Sequence, residues 1–168
     1  FLGIRAQTAG IYRFDLVLND VKLVLSMPRF DQGSAIFTVA WAPDGSAIAY
    51  MNKDGLYTVT PDGSTVKHIV TLPSGSFEHS PAWSQDSQQI AYVADDDIYL
   101  ANRDGSGVKP VTTGKILRVD STRAEIAGLQ LMGCIITWTP DGNLAYTIVK
   151  PDGAVYTISP DGTHTKLF

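Results

Sequence analysis

The sequence of 168 residues has little of what usually carries chemistry. Its single cysteine, Cys134, excludes an internal disulfide and leaves redox usage silent about compartment. Next to Ile135, that cysteine reads as a small buried apolar residue rather than a reactive thiol. There are three histidines, His68, His79 and His164, and none stands in an H-E-x-x-H arrangement. The chain also lacks a G-x-S-x-G elbow, a C-x-x-C pair and a glycine-rich phosphate loop followed by Lys-Ser/Thr, so no catalytic residue is assigned. Charged residues make up 18% and sum to −4 with no basic run, which argues against nucleic acid, because phosphate binding needs clustered Lys and Arg. No apolar run approaches the roughly 20 residues of a membrane-spanning helix. The start FLGIRAQ has neither an initiating Met nor a charged region followed by an apolar one, so no leader is expected within it. The acidic run Asp95-Asp96-Asp97 lacks the spaced D-x-D-x-D-G ligand loop and falls where a turn is needed, so neither a metal nor a cofactor is expected.

What the chain does have is repetition. From Trp41 it reads WAPDGSAIAYMNKDGLYTVTPDGSTVK, from Trp83 WSQDSQQIAYVADDDIYLANRDGSGVK, and from Trp138 WTPDGNLAYTIVKPDGAVYTISPDGTHTK. A tyrosine and a later lysine recur at a fixed spacing in Tyr57/Lys67, Tyr99/Lys109 and Tyr156/Lys166, and an earlier copy holds Tyr12/Lys22. Each unit predicts four strands, A to D, joined by tight turns. Pro-Asp-Gly supplies the turns, with Pro suited to the first central position and Gly to the left-handed one that ends it. The middle copy has Gln85-Asp86-Ser87 in that place and reads as a looser turn.

Two columns predict how such sheets pack. Strand B repeats large, small, large as Ile48-Ala49-Tyr50, Ile90-Ala91-Tyr92 and Leu144-Ala145-Tyr146. Strand side chains alternate faces, so each sheet should have one bulky face and one lined by alanine, able to interlock with its neighbours. Strand D carries Lys22, Lys67, Lys109 and Lys166, with Pro110 beside one of them. Lys and Pro on an outer strand discourage foreign pairing, which makes D the rim and A the inner strand. The tryptophans and tyrosines, in fixed register with this pattern, are assigned to packing between sheets.

Four-stranded units stacked radially with a protected outer edge describe an all-β chain of β-propeller blades, about three complete and one lacking its inner strand. The blades span approximately 1–25, 35–72, 79–112 and 134–168, with an insertion at 113–133. In the first blade Leu2-Gly3-Ile4 has the pattern of strand B, and strand A is missing. The units resemble the WD-like repeats of TolB-type propellers, with their W-S-P-D-G-x-x-I-A-Y/F run followed by I-Y and D-G. The resemblance covers nearly the whole chain outside the insertion. It implies a segment of a larger propeller, closed by further blades of its own chain or by another subunit, because an open ring leaves one bulky and one alanine-lined face exposed.

Function is expected on irregular loops of a regular scaffold. The A-to-B and C-to-D turns are short and alike and share one face of the disc. The D-to-A connections on the other face are varied: 26–34 (SMPRFDQGS), 73–80 (PSGSFEHS) and the insertion. The candidate binding residues there are Arg29, Phe30, Phe77, His79, Arg118, Arg123 and Glu125. His68 and His164 fall on rim strands and are expected in solvent. The main expectation is a non-catalytic binding module that engages a protein or peptide. Two alternatives follow from where such blades occur: the gating propeller of a prolyl oligopeptidase-type serine peptidase whose catalytic domain lies elsewhere, or a structural subunit of a larger assembly. By resemblance the setting is periplasmic, secreted or at the cell surface, as for TolB.

Overall fold

The computed structural model describes residues 9–26, 38–73, 80–113, 135–147, 155–159 and 162–167. They form no helix; the ordered elements are antiparallel strands in four sheets. The first sheet pairs β1 (Gly10–Asp15) with β2 (Asp20–Ser26). The second runs β3 (Val39–Trp41), β4 (Ile48–Asn52), β5 (Gly55–Val59), β6 (Val66–Thr71). The third runs β7 (Ala82–Trp83), β8 (Gln89–Ala94), β9 (Asp97–Asn102), β10 (Lys109–Pro110). The fourth runs β11 (Ile136–Trp138), β12 (Leu144–Thr147), β13 (Val155–Ile158), β14 (His164–Lys166). Each four-stranded sheet is a meander in chain order, which is the all-β propeller blade. Leu2-Gly3-Ile4, the expected strand B of the first blade, lies outside the described residues.

The turn chemistry explains why these segments double back where they do. In the A-to-B turn of the second sheet, Gly45 adopts φ 70° and donates its N–H to the Ala42 carbonyl at 2.8 Å. Asp44 Oδ1 accepts the Ser46 N–H at 2.9 Å, so the carboxylate replaces a backbone acceptor and locks the bend. Asp62, Asp86 and Asp104 repeat the device toward the N–H groups of Ser64, Gln88 and Ser106. Asp95 and Asp96, at φ 48° and 64°, form the two-residue turn from β8 to β9, the double left-handed conformation that matches strand twist. The Asp97 carboxylate accepts the Thr112 hydroxyl at 2.8 Å.

The large and small faces interlock as the strand B pattern predicts. Ile48, Tyr50 and Val59 of the second sheet bury Ile11 and Val24 of the first. On its other face Ala49, Met51 and Leu56 receive Ile90, Tyr92 and Trp83 of the third. Ala91, Val93 and Ile98 of the third receive Leu144, Tyr146 and Ile158 of the fourth. Within each four-stranded sheet the paired tyrosines of strands B and C stand directly opposite and stack: Tyr50 on Tyr57 at 5.4 Å, Tyr92 on Tyr99 at 5.7 Å and Tyr146 on Tyr156 at 5.6 Å between ring centres. Burial pushes the Tyr50 and Tyr92 hydroxyls up to about 12, with the partner tyrosine adding to the shift, so both rings stay neutral.

The rim strands β2, β6, β10 and β14 carry the four lysines, all exposed. Their register differs in a way that the constant tyrosine–lysine spacing conceals. Lys22, Lys67 and Lys109 pair with Arg13, Thr58 and Leu100, one residue after the tyrosine, whereas Lys166 pairs with Tyr156 itself. The last C-to-D turn closes from Ser159 to Thr163, one residue shorter than the Thr60 to Thr65 closure of the second blade. The third blade closes as tightly, from Asn102 to Ser106, but one extra residue before Lys109, where Gly107 takes φ 64°, restores the register; the last blade has no such extra residue, and its lysine falls on the other face of the sheet.

Candidate binding face

Blades are fastened to one another by polar contacts of repeated form. Trp83 Nε1 donates to the Ala40 carbonyl of the preceding inner strand at 3.1 Å, and Trp138 Nε1 donates to the Ala82 carbonyl at 3.1 Å. The turn Gln85-Asp86-Ser87 is a clasp rather than a loose substitute for Pro-Asp-Gly. Ser87 is fully buried, takes φ 59°, and its Oγ accepts the Asp44 N–H of the preceding blade at 3.1 Å, a bond that glycine has no atom to make. Arg103, in a C-to-D turn, reaches the A-to-B turn of the preceding blade. Its guanidinium meets Asp44 Oδ2 at 3.0 Å and Ser46 Oγ at 2.6 Å and lies 5.7 Å over the Trp83 ring. This contact confirms that the two sets of short turns share one face of the disc. The Asp44 carboxyl falls to about 2, chiefly because Ser46 donates to it from hydroxyl and backbone, with Arg103 contributing.

The seven candidate residues of the D-to-A loops, Arg29, Phe30, Phe77, His79, Arg118, Arg123 and Glu125, lie outside the described residues. Among the histidines, His68 is exposed on β6 with its ring edge on Tyr57 at 5.0 Å, and His164 is exposed on β14 with Nδ1 2.6 Å from the Tyr146 hydroxyl. Among the described residues no group of three or more His, Cys, Asp or Glu is placed to hold a metal ion, and no helix is long and apolar enough to cross a membrane.

The structure draws attention instead to the first blade, on the face that sequence reasoning set aside as regular. Phe14 pairs with Val21 and Tyr12 with Leu23, so all four share one side of the β1–β2 sheet, and all four are exposed. The opposite side, with Ile11 and Val24, is buried against the second blade. The C-to-D turn between β1 and β2 extends this apolar side. Where other blades have Pro-Asp-Gly or Arg-Asp-Gly, it has Leu16-Val17-Leu18, exposed by 86%, 92% and 70%. These side chains are presented by a fixed backbone, because Asp15 Oδ1 accepts the N–H groups of both Val17 and Leu18 at 3.0 Å and Asn19 takes the left-handed position at φ 52°. The same two bonds, that from Leu18 foremost, hold the Asp15 carboxyl below its ordinary value. Three consecutive apolar residues in a turn slot were the signal available in the sequence. Contiguous exposed apolar surface of this kind marks interaction sites.

Trp41 borders this surface. Assigned to packing with the other two tryptophans, it is 45% exposed, against 6% for Trp83. Between it and β1 lies a cleft of about 420 Å³ lined by Tyr12, Arg13, Phe14, Asp15, Leu16 and Trp41.

No family model and no curated protein matches the sequence. Solved structures do. The nidogen of a nidogen/laminin complex is similar with a TM-score of 0.67 at 18% identity, over 96% of this chain and 59% of that one. TolB from Acinetobacter baumannii is similar with a TM-score of 0.64 at 22% identity, over 88% of this chain and 34% of that one. An auxiliary nutrient binding protein from Bacteroides ovatus is similar with a TM-score of 0.63 at 15% identity, over 96% and 41%. The chain thus spans between about a third and three fifths of the length of these three proteins. At such identities the likeness speaks for architecture, and the stacked blades, the interlocked faces and the comparisons agree that this chain has the fold of a TolB-like β-propeller.

Proposed function

We propose that the chain is a non-catalytic propeller module that holds a protein or peptide partner, and that the apolar side of its first blade is the docking surface. The observation that carries this reading is the exposed tip Leu16-Val17-Leu18, continuous with Phe14, Val21 and Leu23 and held rigid by Asp15. A rigid apolar anchor loses little entropy on binding, so more of its burial appears as affinity. A structural neighbour solved in complex with laminin and another described as a nutrient binding protein are consistent with a binding role for such folds. On this reading the module works in the periplasm, outside the cell or at its surface, the setting that the resemblance to TolB implies.

The test is site-resolved cross-linking in cells that make the protein. A photoreactive phenylalanine analogue at Val17 is compared with one at Ser64, which occupies the corresponding turn of the second blade. A discrete partner identified by mass spectrometry at Val17 and absent at Ser64 is the expected result. A cross-link that joins Val17 to another part of its own polypeptide would overturn the reading, since the surface would then be an ordinary junction between blades. Identical products at both positions would overturn it as well.

A further inference from the structure

The structure assigns Tyr146 as a one-electron donor site, a phenol that gives its electron to an outside oxidant while its proton passes to His164. The strand B tyrosines Tyr50, Tyr92 and Tyr146 occupy one position of the repeat, and each is buried and stacked on a strand C tyrosine. Burial keeps the hydroxyls of Tyr50 and Tyr92 neutral, pushed up to about 12. Among the described residues no histidine is bonded to either of those hydroxyls. Tyr146 differs: its hydroxyl lies 2.6 Å from His164 Nδ1, and the imidazole stands edge-on to the phenol ring at 5.9 Å. In the tautomer that carries its proton on Nε2, Nδ1 accepts the Tyr146 O–H. The register change of the last blade makes this contact. It turns His164 and Lys166 onto the face that carries Tyr146 and Tyr156, and it sets His164 opposite Ile158, where the second blade has Val66 opposite Val59.

The chemistry follows from where the charge is left. A phenol that loses an electron and keeps its proton is a buried cation, which the interior of a protein strongly disfavours. In this pair the O–H bond of Tyr146 breaks as one electron leaves to reduce the oxidant, and the proton forms an N–H bond at His164 Nδ1. The products are a neutral phenoxyl on Tyr146 and an imidazolium on His164. Tyr146 is 2% exposed, whereas His164 is exposed, so the positive charge comes to rest in water while the radical stays inside. Imidazole suits the task because its neutral ring takes up a proton under physiological conditions. Tyr156, half-buried and stacked on Tyr146 with 17° between the ring planes, gives the electron a route to the surface. The oxidant is a one-electron acceptor that works from outside the fold, such as a high-valent metal complex, since a reagent that transfers an atom would have to reach the buried oxygen. This site is separate from the docking surface on the first blade and does not depend on it.

The probe is tris(bipyridine)ruthenium(III), generated by a light flash in the presence of the purified protein with persulfate as terminal electron acceptor. Transient absorption and electron paramagnetic resonance follow the tyrosyl radical, and Tyr146→Phe identifies the part of the signal that belongs to Tyr146. That part is expected to form more slowly in heavy water, because the proton moves with the electron. His164→Phe should slow its formation by about a hundredfold, the low end of what a positioned proton acceptor contributes. His164→Gln keeps hydrogen-bonding atoms but has no basic nitrogen, so it should be as slow as His164→Phe. Circular dichroism confirms that the variants compared are folded, and the heavy-water measurement needs no variant of His164. The inference is overturned if Tyr146→Phe leaves the tyrosyl signal whole, if His164→Gln forms the radical as fast as the unaltered protein, or if heavy water does not change the rate.

Discussion

Substituting Gly63 by alanine measures how much of the stability of the propeller resides in the seating of one blade on the next. Gly63 ends the C-to-D turn of the second blade at φ 76°, and a Cβ there would run into the Val24 carbonyl on the rim strand of the first blade. Gly105 does the same one blade on, where a Cβ would stand 2.9 Å from the Ile69 carbonyl. Gly45 and Gly142 have left-handed φ values of 70° and 86° but open space where a Cβ would go, which makes them matched controls. In Gly45→Ala the cost is conformational, about 1–2 kcal/mol for an L-residue held left-handed. Gly63→Ala carries that cost plus an overpacking penalty of roughly 1–3 kcal/mol, since the obstacle is backbone and cannot rotate away. For a chain of this size each kcal/mol lowers Tm by about 2–4 °C, so Gly63→Ala should melt roughly 2–12 °C below Gly45→Ala. Thermal melts followed by circular dichroism decide the point. Equal losses at Gly63, Gly45 and Gly142 would show that the turn does not bear on its neighbour, and the reading of these glycines as seats between blades would be wrong.

Three further outcomes follow from the same contacts. Asp44 and Asp62 sit near 2, below the ordinary value of 3.8, because hydroxyl and backbone N–H groups donate to their carboxylates. Their contribution is complete above about pH 4 and is lost as pH falls through 2, so Tm should decline across that window and Asp62→Asn should flatten the decline; an unchanged slope would refute the assignment. Ser87→Gly relieves the left-handed backbone but removes the acceptor for the Asp44 N–H, and urea titration should show about 1 kcal/mol of net destabilisation; a more stable variant would mean that the clasp contributes nothing. Trp83→Phe orphans the Ala40 carbonyl and should cost about 2 kcal/mol or more by the same titration; a loss below about 0.5 kcal/mol would mean that this bond does not fasten the blades.

The repeat made the fold legible, because a propeller blade is specified by features that lie close together in sequence. The Ile-Ala-Tyr columns gave the two faces of strand B, and the Pro-Asp-Gly turns gave the hairpins that Asp44 and Gly45 close. The interlock of large and small faces between neighbouring blades was legible too; what escaped were the individual polar contacts made to a neighbour one repeat away. Ser87 looks like a weak turn residue until Asp44 of the preceding blade is placed beside it. The equal tyrosine–lysine spacings hide the register change at Lys166, because spacing counts residues while register depends on how many of them the turn and any irregularity beside it take up, as at Gly107 before Lys109. Leu16-Val17-Leu18 was overlooked for the opposite reason: the position was read as one more short turn, although its composition breaks the pattern. The loop residues from Arg29 to Glu125 were chosen by the converse rule, irregularity, and they lie outside the described residues.

The contacts that fasten the blades have a consequence for how such a chain assembles. Asp44 to Ser87 and Ala40 to Trp83 are each 43 residues apart, and Ala82 to Trp138 is 56. Every such bond closes a loop of about one repeat, whichever blade it joins. The entropy lost in closing a loop rises only with the logarithm of its length, so each added blade pays the same modest closure cost as the one before. Assembly can therefore proceed as a zipper from any blade already formed, and lengthening the array need not slow it. A ring built this way meets a long-range search only once, when its first and last blades come together.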